Sequence, residues 1–200
     1  MDAEGARVSV LVTGGSGYLG QHTLRHFGSL PWVASLSYTY RTAPLAANAQ
    51  VVGHQVDFST ATVDDIRVVL RAARPDVVIH TAALSGLGQC EKDPEAALRV
   101  NSPGALLEAL ALEAPDALVV YISTDQHARA NSPPFTEAHA RAPLNAYGAT
   151  KLAFETALEE HATACAPRFR YVTLRSSNII GARAPYTRAG KFLQWLQGAL

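Results

Sequence analysis

Thirteen residues near the amino end, Val8 to Gly20 (VSVLVTGGSGYLG), run from an apolar stretch into glycines at Gly14, Gly17 and Gly20. Val8, Val10, Leu11 and Val12 stand too close to the glycines to be a helix, so they read as a buried strand of a parallel sheet. A helix then begins near Gly17. So short a passage from strand to helix needs backbone angles that a residue without a Cβ adopts freely, which assigns the turn to Gly14. Gly17 lets main-chain N–H groups close on an anion, and Gly20, one helical turn later, lets the helix pack tightly on the sheet. The unpaired amides and the positive end of the helix dipole favour a diphosphate. A purely structural glycine turn is the alternative reading.

The remainder of the chain repeats the alternation of apolar runs with helical periodicity. Strands are predicted at Val33 to Tyr38, Val51 to Val56, Asp76 to His80, Ala117 to Ile122 and Phe169 to Leu174. Val63, Ile66, Val69 and Leu70 recur at helical spacing, and Asp93-Pro94 reads as an N-cap followed by proline at the first helical position. The helix after Pro94 meets Pro103, where it must kink or restart. Ala146 to about Ala164 reads as a long helix and Lys191 to Leu200 as another. Six strands joined by right-handed crossovers define an α/β fold with a doubly wound, mostly parallel sheet, whose ligands sit at the carboxyl ends of the strands.

Two hundred residues with 48% hydrophobic content suit one domain over residues 1–200. Seventeen Lys and Arg balance seventeen Asp and Glu, so no broad field recruits nucleic acid or an anionic membrane. No apolar run approaches the roughly 20 residues that span a bilayer. The first strand begins within seven residues of an acidic start, Asp2 and Glu4, and no targeting peptide is expected. Cys90 and Cys165 lie far apart without metal-ligand companions, which suggests reduced thiols in a cytoplasmic setting.

In a dinucleotide fold the residue ending the second strand meets the adenosine ribose, where a carboxylate selects a 2′-hydroxyl and an arginine a 2′-phosphate. The segment SLSYTYRTA holds no acid, and Arg41 lies about 20 residues past the last motif glycine. The planar guanidinium favours NADP, with NAD as the second option and a solvated surface arginine as the bland reading. Asp57, after the third strand, is either a contact to the adenine edge or an N-cap of the next helix. His80 reads as a core residue. Thr81, Ala82 and Ala83 after it are small enough for a flat cofactor to pass.

Tyr147 and Lys151 are four residues apart in NAYGATKLAFE and project from one helix face. A phenol can protonate a forming alkoxide, but its ordinary pKa near 10 asks for a downward shift of roughly three units, which a neighbouring ammonium favours. A hydroxyl to orient the carbonyl is expected at the end of the fifth strand: Thr124, with Ser123 in reserve.

Together, T-G-x-x-G-x-x-G from Thr13, PDVVIHTAA with Cys90-Glu91 and Asn101, ISTD at Ile122 to Asp125, PLNAYGATKLAFE from Pro143 and LRSSNIIG from Leu174 resemble an extended short-chain dehydrogenase/reductase. Within that superfamily the chain resembles the dTDP-4-dehydrorhamnose reductase family, which includes the regulatory β subunit of methionine adenosyltransferase. The resemblance implies an NAD(P)-binding Rossmann fold, with Gly14, Gly17, Tyr18, Leu19, Arg41, Asp57, Ala82, Ala83 and Asn101 on the cofactor side. It implies catalytic roles for Thr124, Tyr147 and Lys151, the last two also touching cofactor. Asn101 matches an asparagine that steadies the lysine through water, or is a polar helix residue beside the Pro103 break. The expected activity is NADP-dependent reduction of a 4-keto nucleotide sugar. The alternative is an NADP-binding regulatory subunit docked on a methionine adenosyltransferase catalytic subunit. Two departures stand out: STDQHARANSPPF replaces the usual S-T-D-Y-V-F and puts His127 and Arg129 nearby, and the chain stops where relatives continue, so residues 176–200 are expected to begin a substrate-side region whose remainder is largely absent.

Overall fold

The computed structural model describes residues 7–46, 51–127 and 136–187. Six parallel strands, β1 (Val8–Thr13), β2 (Val33–Tyr40), β3 (Val52–Gln55), β4 (Val77–His80), β5 (Leu118–Thr124) and β6 (Arg170–Ser176), form one sheet in the order β3-β2-β1-β4-β5-β6. The doubly wound sheet expected from the sequence is the one observed. Its order reverses between β1 and β4, which opens a crevice at their carboxyl ends.

Among the described residues six α-helices flank the sheet: α1 (Tyr18–Phe27), α2 (Val63–Ala73), α3 (Leu87–Lys92), α4 (Pro94–Asn101), α5 (Gly104–Glu113) and α6 (Ala146–Ala164). Side chains alternate across a strand, so β1 feeds two cores at once. Leu11 joins Val78 and Val119 beneath Leu70 of α2, Leu110 of α5 and Phe154 and Leu158 of α6. Val10 and Val12 point the other way, packing with Leu36 and Ile79 against Leu24 of α1. Burying each such side chain stabilises the fold by roughly 1.5–3 kcal/mol.

Local chemistry sets the boundaries. Thr62 and Asp65 cap each other reciprocally at the start of α2, and Asp93 accepts the Ala96 N–H with Pro94 at the first helical position of α4. Pro103 restarts the helix rather than kinking it, so α4 ends at Asn101 and packs toward α6, while α5 lies against α2. The short α3 has no counterpart in the sequence reading. β5 runs two residues further than predicted, so Ser123 and Thr124 belong to the strand, paired with Arg175 and Ser176. Arg129 and the helix predicted over Lys191 to Leu200 lie outside the described residues.

Candidate functional site

The crevice is built first from main chain. Gly14 has φ +67°, and a Cβ there would sit 2.6 Å from Ala82 Cα, so both conformation and space demand glycine. Its N–H donates to Thr39 Oγ1 at 2.9 Å, and the next N–H, of Gly15, donates to the Thr39 carbonyl at 2.9 Å. Gly17 occupies the N-cap of α1, where no side chain caps the helix and no acid stands in its first turn. The first-turn amides therefore face the cleft with their dipole unneutralised, a cradle that fits an anion. Gly20 differs from expectation: a Cβ there would strike the Gly14 carbonyl oxygen and Gly15 Cα, so it seats α1 on the turn itself rather than on a strand.

Two lobes of one groove meet at this turn, sharing Gly14, Gly17, Thr81 and Ala83. The smaller lobe, ≈ 220 Å³, is walled by Arg41, Asp57, Phe58 and Ala82. Arg41 is exposed immediately past β2. The Asp57 carboxylate accepts the Ser59 hydroxyl at 2.6 Å and the Ser59 N–H at 2.9 Å, and these bonds, with a smaller contribution from Arg41, hold its pKa below the usual range. Since Thr62 caps α2, Asp57 is not that helix's cap.

Thr124, Tyr147 and Lys151 converge on the larger lobe, ≈ 380 Å³, with Tyr18, Leu19 and Ser123 in the same wall. Asn145 caps α6 by accepting the Gly148 N–H at 2.7 Å, and Glu91 accepts the Ala146 N–H at 2.7 Å, fixing the turn that carries Tyr147. One turn on, Lys151 is buried with its Nζ 4.3 Å from the centre of the Tyr121 ring. Burial pulls its amine down to about 7, opposed by the Glu155 carboxylate a further turn along. Glu155 is itself buried and accepts from Arg175 Nη2 at 2.8 Å and Nε at 3.1 Å.

The Tyr147 phenol departs from expectation. Burial, followed by the Cys90 thiol and the Asp125 carboxylate, holds its pKa above the ordinary value, where the sequence argument asks for depression. Thr124 Oγ1 accepts the Gln126 N–H at 3.2 Å, so its own proton is available to another acceptor. Ser123 Oγ is buried without a hydrogen-bond partner among the described residues.

Asn101 lies away from the groove lining. Fully buried, it lines neither lobe: Oδ1 accepts the Leu84 N–H at 2.7 Å, and Nδ2 donates to the Leu84 carbonyl at 3.1 Å and to Thr150 Oγ1 at 2.9 Å. Its carboxamide ties the loop after β4 to the turn of α6 preceding Lys151, so any action on cofactor or lysine is indirect. His80 is the core residue expected of it, with Nδ1 2.7 Å from Thr13 Oγ1 and its ring among Phe58, Tyr121 and Phe154. Burial keeps it neutral, its pKa lowered to about 3.

Four participants were not singled out in the sequence reading. Thr39 holds the glycine turn from inside β2, and only its hydroxyl within a strand hints at this. Asp125 and Gln126 line the larger lobe just past β5. Gln21, fully buried on α1, gives no periodicity signal at all.

The model of the NAD dependent epimerase/dehydratase family matches residues 10–199. The chain belongs to that family. Methionine adenosyltransferase 2 subunit beta of Danio rerio is 32% identical over 152 residues, 76% of this chain and 44% of the relative. UDP-glucose 4-epimerase of Rhizobium meliloti is 32% identical over 184 residues, 87% of this chain and 52% of the relative. Among solved structures, dTDP-4-dehydrorhamnose reductase of Bacillus anthracis in complex with NADP superposes with a TM-score of 0.64 at 25% identity, covering 88% of this chain and 55% of that one. The resemblance read from the motifs is thus met, and the chain spans about half the length of these relatives. Among the described residues no helix is long and apolar enough to cross a membrane, and no cluster of three or more His, Cys, Asp and Glu could hold a metal ion.

Proposed function

We propose that this chain carries the cofactor-binding and proton-donating half of an NADP(H)-dependent reductase acting on a 4-keto nucleotide sugar, of the dTDP-4-dehydrorhamnose reductase kind. The observation supporting this most directly is the meeting of Thr124, Tyr147 and Lys151 in a lobe continuous with an uncapped helix N-terminus. That N-terminus and the Gly14 turn would hold the diphosphate, Arg41 the 2′-phosphate and Asp57 the adenine edge. A reduced nicotinamide, when bound, supplies a hydride. Thr124 donates its free hydroxyl proton toward the substrate carbonyl and orients it, and Tyr147 delivers the phenolic proton to the oxygen as charge develops there. Lys151 contributes positive charge beside that transfer and a donor for the nicotinamide ribose. Asn101 keeps its turn of α6 in place. Because the surroundings raise the Tyr147 pKa, the phenol rests in its protonated form, which is the form a reductase needs before each turnover.

The test is oxidation of NADPH with a dTDP-4-keto-6-deoxyhexose, comparing wild type with Tyr147→Phe. Turnover lost in the variant with NADPH affinity retained is the expected outcome. Absence of turnover in the wild type despite tight NADPH binding would sink the reductase reading. A second reading is supported by the 32% identity to the methionine adenosyltransferase subunit: an NADP-binding regulatory subunit that docks on a methionine adenosyltransferase. It predicts no turnover, together with altered transferase activity when the two are mixed. Two free cysteines, Cys90 and Cys165, suit a cytoplasmic setting in either case.

A further inference from the structure

We propose that Gln21 is a positioning residue that couples the diphosphate turn to the substrate-side wall of the cleft. Its side chain is fully buried, and each of its four hydrogen-bonding positions is taken. Nε2 donates to the Ser16 carbonyl at 2.8 Å and to Thr187 Oγ1 at 2.7 Å. Oε1 accepts the Tyr186 and Thr187 N–H groups, both at 2.9 Å. One carboxamide therefore bridges the turn between Gly14 and Gly17 to main chain 165 and 166 residues further on.

Two neighbours on the same helix face reinforce the bridge. The Tyr18 hydroxyl donates to the Ala182 carbonyl at 2.8 Å, and His22 Nε2 lies 3.2 Å from that oxygen. Positions 18, 21 and 22 share one side of α1. The segment they hold follows Asn178, Ile179 and Ile180, which line the same lobe as Tyr147 and Lys151. Tyr186 packs on the core beneath α1, so the segment is anchored at both ends of this stretch.

The consequence is thermodynamic. An anion seated on the first turn of α1 immobilises the Ser16 carbonyl and the Gln21 backbone, whose N–H donates to the Gly17 carbonyl at 3.0 Å. The carboxamide transmits that ordering to residues 182–187, so a wall for the sugar is firmest when the nucleotide is in place. This rests on nucleotide binding at the glycine turn and not on any sugar reduction.

Hydrogen–deuterium exchange of the full chain, with and without saturating NADPH, tests it alongside calorimetric NADPH affinity. In wild type, NADPH is expected to slow exchange in residues 182–187 about tenfold, the weight of one or two hydrogen bonds. In Gln21→Met, close in volume but without donors or acceptors, the nucleotide binds and the slowing falls below about twofold. Gln21→Glu keeps the two bonds accepted from the Tyr186 and Thr187 N–H groups and loses the donors to the Ser16 carbonyl and Thr187 Oγ1, so it binds NADPH with the segment similarly unresponsive; it also serves if the Met variant does not fold. Equal slowing in wild type and Gln21→Glu, or unchanged exchange in wild type that demonstrably binds NADPH, would overturn the coupling. Failure of wild type to bind NADPH would remove the nucleotide reading of the cleft and the coupling with it.

Discussion

The two lobes of the groove are made of different materials. On the β1–β3 side the working parts are backbone amides, an unadorned helix end and two charges, an exposed Arg41 and a half-buried Asp57. The α6 side depends on buried side chains: Lys151 over Tyr121, Glu155 gripped by Arg175, and Asn101 joining Leu84 to Thr150. Main chain can bind an anion strongly without any group that titrates, which suits the unchanging task of holding a cofactor. Proton transfer needs groups whose charge can change, and burial tunes them.

This contrast predicts that damage on the α6 side shows in turnover and damage on the β1–β3 side in affinity. Tyr147→Phe is expected to lower kcat by about a thousandfold with the NADPH dissociation constant within twofold, measured by steady-state kinetics and calorimetry. A parallel loss of affinity would blur the division. Gly14→Val, forced into a positive φ and against Ala82, is expected to weaken NADPH by about a hundredfold or more and to lower the unfolding temperature.

The pH dependence of stability follows from Lys151. Its pKa is about 7 in the fold against an ordinary 10.5, so between these values the unfolded chain binds the additional proton. Stability therefore rises with pH from about 7 to about 10, and the burial penalty is fully present below 7. Lys151→Met removes that slope and is expected to stabilise the chain at pH 6 by about 2 kcal/mol, which denaturant titrations at several pH values would register. A slope unchanged in the variant would show that the amine is not the titrating group. The smallest effect belongs to the surface: Arg41→Ala should weaken NADPH about tenfold and leave NADH unchanged. Equal losses would deny Arg41 a role in telling the two apart.

The same contrast explains how much could be read in advance. The positions of the strands along the chain, the Gly14 turn and the Tyr147–Lys151 face are encoded by spacing within a few residues, and periodicity exposes them. Asn101 could be noticed but not placed, because its partners Leu84 and Thr150 lie 17 and 49 residues away. Gly20 packs on the turn because α1 starts so near Gly14, a closeness that spacing alone does not reveal. The direction of the Tyr147 shift depends on Cys90 and Asp125 arriving from other segments. Gln21 was silent, since a lone glutamine on an amphipathic helix ordinarily faces water.

Tyr121 meets Lys151 twice, with its ring beneath the ammonium and its hydroxyl donating at 3.2 Å to the carbonyl of the same residue. Burial raises its pKa far beyond any physiological pH, so this phenol never competes for the proton being handled above it. The floor of the chamber is thus electrically attractive yet acid–base inert, and a titration of activity near neutrality would record the Lys151 amine alone, both phenols staying protonated there.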